Sequence, residues 1–142
     1  MSLEENKAIV RNWYEAFNKR NLALAYELIA PNYINHTLQL RGREDVKKSI
    51  TMLIKGFPDL HTTIEDIIAE GDKVWTLFTD TGTHTGEYRG LAPTGKKITI
   101  KGIDISRIVD GKFVEEWQVS DSLDFLKQLG VVEYKGFPDE VM

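Results

Sequence analysis

Apolar side chains recur at helical spacing near the start of the chain, at Ile9, Val10, Trp13, Tyr14 and Phe17. Steps of three and four residues place them on one face of an α-helix. Ser2 is its expected N-cap, because Glu5 follows three residues later in a capping-box pattern. The polar run Asn18 to Asn21 breaks the helix. A short second helix carries Leu24, Leu28 and Ile29 and is expected to end at Pro31. Residues 32 to 41 read as an extended connection. A third helix is expected from about Gly42 to Lys55, with Val46, Ile50, Leu53 and Ile54 spaced for burial and Gly56 and Pro58 closing it.

From Leu60 the period changes to two. Strands are expected over Leu60 to Ala69, Lys73 to His84, Lys97 to Val109 and Lys112 to about Ser120. Gly71 marks the first turn and Asp110-Gly111 the last. Thr85 to Lys96, with three glycines and a proline, reads as a loop. A last helix over Ser122 to Leu129 stops at Gly130. Three helices followed by strands in hairpin order predict an α+β domain. Long twisted strands curl, so the sheet should form a cone that the N-terminal helices cover, leaving an apolar pocket.

The 142 residues suffice for one domain with its own core. It is expected to span 1–142, with its body in about 4–130 and a weakly patterned tail from 131 to 142. Net charge is −4 with both signs mixed, and no basic patch interleaves with aromatics, so nucleic acid is not an expected partner. There is no cysteine, which excludes disulfides, thiol chemistry and Cys-based metal sites and fits a reducing cytoplasm. The acidic N-terminus has no apolar run of the signal-peptide kind, and no stretch approaches a membrane span. The three histidines lack metal-ligand spacing, so no structural metal site is expected.

Strand parity narrows where chemistry can sit. Val74, Thr76, Phe78, Asp80, Gly82 and His84 share one face, as do Ile98, Ile100, Gly102, Asp104, Ser106 and Ile108. On the last strand Phe113, Glu115, Trp117, Val119 and Asp121 share a face if the strand is regular. Asp121, where this strand meets the last helix, is a candidate general acid/base in an apolar cavity, or simply the helix N-cap. Asp104 and Asp80 are each either pocket carboxylates or outward residues. His36 and His84 are either pocket groups or satisfied histidines. His61 reads as a surface residue. Trp13, Tyr14 and Phe17 serve the core, the pocket wall or both.

Several segments together carry a family resemblance: Glu5 to Phe17, Ala30 to His36, Phe57 to Leu60, Gly82 to Gly86, Pro93 to Lys96, and Ile103 to Asp121 with its Asp110-Gly111 turn and Glu115-Glu116-Trp117. They resemble the SnoaL-like polyketide cyclases, or ester cyclases, of the nuclear-transport-factor-2-like superfamily. The resemblance implies a cone-shaped α+β barrel, commonly a homodimer through its sheet. It implies an intramolecular aldol cyclase or isomerase acting without cofactor on a small hydrophobic carbonyl compound. Asp121 matches the position of the family's acid/base aspartate. His36 and His84 match recurrent pocket positions, with Tyr14 and Trp117 as walls and Asp104, Trp13 and Phe17 as further contacts.

Two alternatives share the fold. A limonene-type epoxide hydrolase needs two aspartates bridged by an arginine. Asp104 and Asp121 could supply the acids, but Arg107 has the opposite parity to Asp104 and Arg89 lies in a loop. A ketosteroid-isomerase-like oxyanion hole could draw on Tyr14 and Asp104. A non-catalytic ligand-binding or scaffold domain, with Asp121 only capping a helix, is the third possibility.

Overall fold

The computed structural model describes residues 1–133 and Lys135, so most of the tail lies outside the described residues. Helix α1 spans Leu3–Asn18, and its capping box is formed: Glu5 N–H donates to Ser2 Oγ and Ser2 N–H donates to Glu5 Oε1 (both 3.1 Å). Helix α2 is Leu22–Glu27 and α3 is Gly42–Gly56. The strands are β1 (Ile29–Asn35), β2 (Leu40–Arg41), β3 (His61–Glu70), β4 (Lys73–Thr83), β5 (Lys97–Val109) and β6 (Lys112–Ser120); α4 (Ser122–Leu129) closes the series. No helix among the described residues is long and apolar enough to cross a membrane.

The six strands form one curved, open sheet in the order β2-β1-β6-β5-β4-β3. This is the α+β cone expected from the sequence, with two differences. The second helix stops at Glu27, and the residues around Pro31 form a strand. Ile29, Ala30, Tyr33 and Asn35 are buried there, so burial against the last strand outweighs weak helical spacing. The sheet is also not wholly antiparallel, because β1 runs parallel to β6.

Two clusters make the core. Val10, Tyr14, Ile29, Tyr33, Val74, Ile108 and Phe113 seal one end. Phe17, Phe57, Leu60, Ile98, Ile100 and Leu129 surround the other, where the cone stays hollow. The loop after β4 is pinned to the end of α3. Thr85 and Gly86 both donate to Gly56 O at 3.2 Å, and a Cβ at Gly86 would overlap the Lys55 carbonyl oxygen. Gly86→Ala is therefore expected to cost about 2 kcal/mol or more. Chemical denaturation would show this as a lower midpoint, whereas an unchanged midpoint would mean that loop and helix can separate freely.

Candidate active site

Parity decides which β4 and β5 side chains face inward. Val74, Thr76 and Phe78 of β4, and Ile98, Ile100, Ser106 and Ile108 of β5, are buried, so Asp80 and Asp104 lie on the concave face. Strand β6 departs from regular alternation. Ile108 pairs with Phe113 but Arg107 pairs with Glu115, so one extra residue, Val114, bulges between them. Phe113 points into the core, and beyond the bulge the inward series continues as Glu116, Gln118 and Ser120. Glu115, Trp117 and Val119 turn outward.

An enclosed cavity of about 500 Å³ occupies the hollow end. Phe57, Phe78, Ile98, Ile100, Phe125 and Leu129 supply most of its apolar wall, and Asp80, Gln118 and Ser120 enter from the sheet. Helix α4 brings Phe125, Leu126 and Leu129 over it, held to β5 by Gln128, which donates Nε2–H to Thr99 O (2.8 Å) and accepts Thr99 N–H (2.6 Å). A second depression of about 610 Å³ lies open on the outside between α1 and β3. The first cavity is the more enclosed of the two and has a buried acid, Asp80, in its wall, whereas the acid beside the outer depression is the exposed Glu15.

Three carboxyl groups stand on the concave face of successive strands. Asp80 on β4 accepts from Thr62 Oγ1 (2.6 Å). Asp104 on β5 accepts from the Tyr14 hydroxyl of α1. Glu116 on β6 accepts from Tyr33 (2.9 Å) and from Ser106 (3.2 Å). Burial raises all three above the ordinary carboxylate range. Asp80 rises to about 6, with Thr62 and the His61 charge opposing the shift. Burial also dominates at Asp104 and Glu116, reinforced by the neighbouring acid, Asp80 for the former and Asp104 for the latter. The Tyr14 and Tyr33 phenols are pushed far up by burial and by the same negative neighbours, so both remain donors.

The family model for SnoaL-like polyketide cyclases matches residues 7–129. The chain belongs to the SnoaL-like polyketide cyclase family. It is 30% identical over 132 residues to aklanonic acid methyl ester cyclase DauD of a Streptomyces species, covering 86% of this chain and 80% of DauD. Among solved structures it resembles AclR of Streptomyces galilaeus, with a TM-score of 0.84 and 32% identity over 93% of this chain and all (100%) of AclR. It also resembles IdmH of Streptomyces antibioticus, with a TM-score of 0.76 and 34% identity over 88% and 98% of the two chains. The expectation of an enzyme agrees with this membership, since the family is one of cyclases.

The residues singled out from sequence are scattered over this SnoaL-like cone. Asp121 does not face the cavity. It is exposed, and its Oδ1 accepts Asp124 N–H at 2.9 Å, capping α4. His36 and Trp117 stack on the outer face (4.9 Å between centroids), with His36 Nε2 on Glu115 at 2.8 Å. Arg107, which also grips Glu115 (2.8 Å), holds Asp72 (2.8 Å) and bridges no inward acid. His84 is fully buried against Phe57 (5.2 Å) and is not part of the cavity wall. Its Nδ1 meets the Thr94 hydroxyl (2.9 Å) and the Thr94 N–H (3.2 Å), and its Nε2 is buried without a partner among the described residues. Trp13 packs edge-on to Phe113 (5.8 Å), and Phe17 belongs to the core. Of this set the structure joins Tyr14 with Asp104 on the concave face and His36 with Trp117 on the outer one. Sequence reasoning left Asp80 undecided, although its parity with Phe78 and Val74 was the right signal. Nothing in the residue types revealed that Glu116 and Gln118 face inward.

Proposed function

We propose that this SnoaL-like protein closes a ring by cofactor-free acid/base chemistry on a carbonyl-bearing, polyketide-like substrate in the enclosed cavity. The observation that carries this reading is Asp80: a carboxylate in the wall of an apolar cavity whose pKa, about 6, suits a base near neutral pH. Ionising Asp80 makes a second negative charge beside it unfavourable, so Asp104 keeps its proton. Asp104 lies outside the cavity wall, so Asp80 acts as base and, once protonated, as the acid that returns the proton. Asp80 removes a proton from a carbon flanked by carbonyls. The resulting enolate carbon attacks a second carbonyl of the same molecule, forming the C–C bond, and the new alkoxide takes a proton back. The product is an isomer of the substrate, and nothing is oxidised or reduced. The dry wall of Phe57, Phe78 and Ile98 protects the enolate from water.

Mass spectrometry of a linear polyketide-type β-dicarbonyl ester incubated with the protein is the direct test, with a cyclised product of unchanged mass expected. Loss of turnover in Asp121→Asn but not in Asp80→Asn would return the role to Asp121 and sink this assignment.

The partner of the outer face is a second copy of this chain. Ile68, Trp75, Leu77 and Val119 stand exposed on β3 to β6, and Ile68, Trp75, Ile105 and Trp117 line up across the strands. A continuous apolar row on a sheet face is unusual for a monomer. Light scattering should report a dimer for the native chain and a monomer for Trp75→Glu; a native monomer at tens of micromolar would contradict it.

A further inference from the structure

Among the described residues that line the cavity, Arg89 is the only cation and Asp80 the only acid. Arg89 has no acceptor there. Among the described residues its guanidinium meets only the Tyr88 ring, 5.8 Å from the centroid. The nearest acid in sequence, Glu87, is taken by Lys55 at 3.1 Å.

The backbone at Arg89 is held in a conformation that arginine does not favour. Tyr88 and Leu91 pair across a two-residue turn, with N–H···O bonds of 3.0 and 2.9 Å. Both central residues have positive φ, +51° at Arg89 and +85° at Gly90. Turns of this kind prefer Asn, Asp or Gly at the first central position. A strained residue persists where its surroundings hold it, and such positions cluster at functional sites. Here Tyr88 does the holding. Its ring meets Phe57 (5.4 Å) and Phe125 (6.3 Å) edge-on, and both of those rings line the cavity. The turn therefore fixes Arg89 on the cavity rim before any ligand arrives.

Resting on the cavity reading above, we propose that Arg89 orients the substrate and that the substrate carries a free carboxylate at the end nearest this turn. A planar guanidinium matches a carboxylate through two parallel hydrogen bonds. The carbon skeleton then fills the apolar interior, and the acidic carbon is left to Asp80. A single negative charge suits a cavity that already holds one acid better than a dianionic phosphate does. The prediction is specific, because this chain should favour a free acid where its relative DauD is named for a methyl ester.

The test is isothermal titration of the whole protein at pH 7 with 2-naphthoate and with methyl 2-naphthoate. The native chain should bind the acid on the order of tenfold more tightly than the ester. Arg89→Gln should reduce the acid to the affinity of the ester and leave ester binding unchanged. Arg89→Asn should lose the preference equally while melting at the same or a higher temperature, since Asn accepts positive φ; a purely structural arginine would instead lower the melting temperature and spare the preference. Equal binding of acid and ester by the native chain, or a preference surviving in Arg89→Gln, overturns the role of Arg89 and leaves the cavity reading standing. Uptake of neither form overturns the cavity reading and this inference with it.

Discussion

Asp80→Asn is expected to lower kcat for ring closure by a factor of about 10² to 10⁴, the usual contribution of a positioned general base. Asn keeps the shape of Asp and can still accept from Thr62 Oγ1, so the fold should be retained and the loss should fall on kcat more than on KM. In the native protein the rate should rise with pH through about 6 as Asp80 ionises. It should fall again at higher pH when Asp104, raised by burial and by the Asp80 charge, gives up its proton. Asp104→Asn should remove this upper limb and leave the lower one in place. Asp121→Asn makes a useful control. Asn Oδ1 still accepts Asp124 N–H and caps α4 about as well as Asp, so stability and rate should both change little. The outcome that would defeat the assignment is a pH–rate profile in Asp80→Asn superimposable on that of the native protein.

The second large effect concerns stability, and it runs against the common expectation that acid weakens a fold. A carboxyl group whose pKa is raised on folding stabilises the native state fully below its unfolded value. It loses that contribution as pH climbs through its folded value. For Asp80 the window lies between the unfolded value of about 4 and its folded value of about 6. Asp104 and Glu116 shift in the same direction for the same cause, burial. Asp80 alone should withdraw about 2 kcal/mol between pH 4 and 7, allowing for the water that reaches the cavity wall. The protein should therefore melt several degrees lower at pH 8 than at pH 5. Surface acids such as Asp59, held below the usual range by Thr83, act oppositely and only below about pH 4. Glu116→Gln, whose carbonyl oxygen still accepts from Tyr33 while its amide N–H donates to Ser106 Oγ, should raise the melting temperature at pH 8 and flatten the curve. A native protein that melts higher at pH 8 than at pH 5 would show that the three acids are not buried as described. The same acids that the proposed chemistry needs thus make the fold less stable at neutral pH, a trade often met at active sites.

The contrast between Asp80 and Asp121 shows how far residue patterns reach. Asp80 lies on β4, and Asp121 directly follows β6 as the N-cap of α4. Asp80 lies within a regular stretch of β4, so counting by twos from Val74 places it inside the cone. Asp121 lies beyond the Val114 bulge, where counting by twos from Phe113 gives the wrong side. The family resemblance pointed to Asp121 as the acid/base, and its hydrogen bond follows the capping alternative read from Asp121-Ser122-Leu123-Asp124.

Local rules were enough for α1 with its capping box, α3, the strand order through the Gly71 and Asp110-Gly111 turns, and the end of α4 at Gly130 in left-handed geometry. Each depends on contacts within a few residues, and those contacts are encoded by the residues themselves. The inward parity of Asp80 and Asp104 is likewise legible, because a regular strand alternates strictly. Only the tertiary structure decided the rest. The β1–β6 pairing joins residues about 80 positions apart and overrides a short helical pattern. The Val114 bulge is a mismatch between two strands rather than a property of either, and one inserted residue exchanges every face beyond it. Glu116 joins the acid cluster, and Trp117 turns to the outer face, for that single reason.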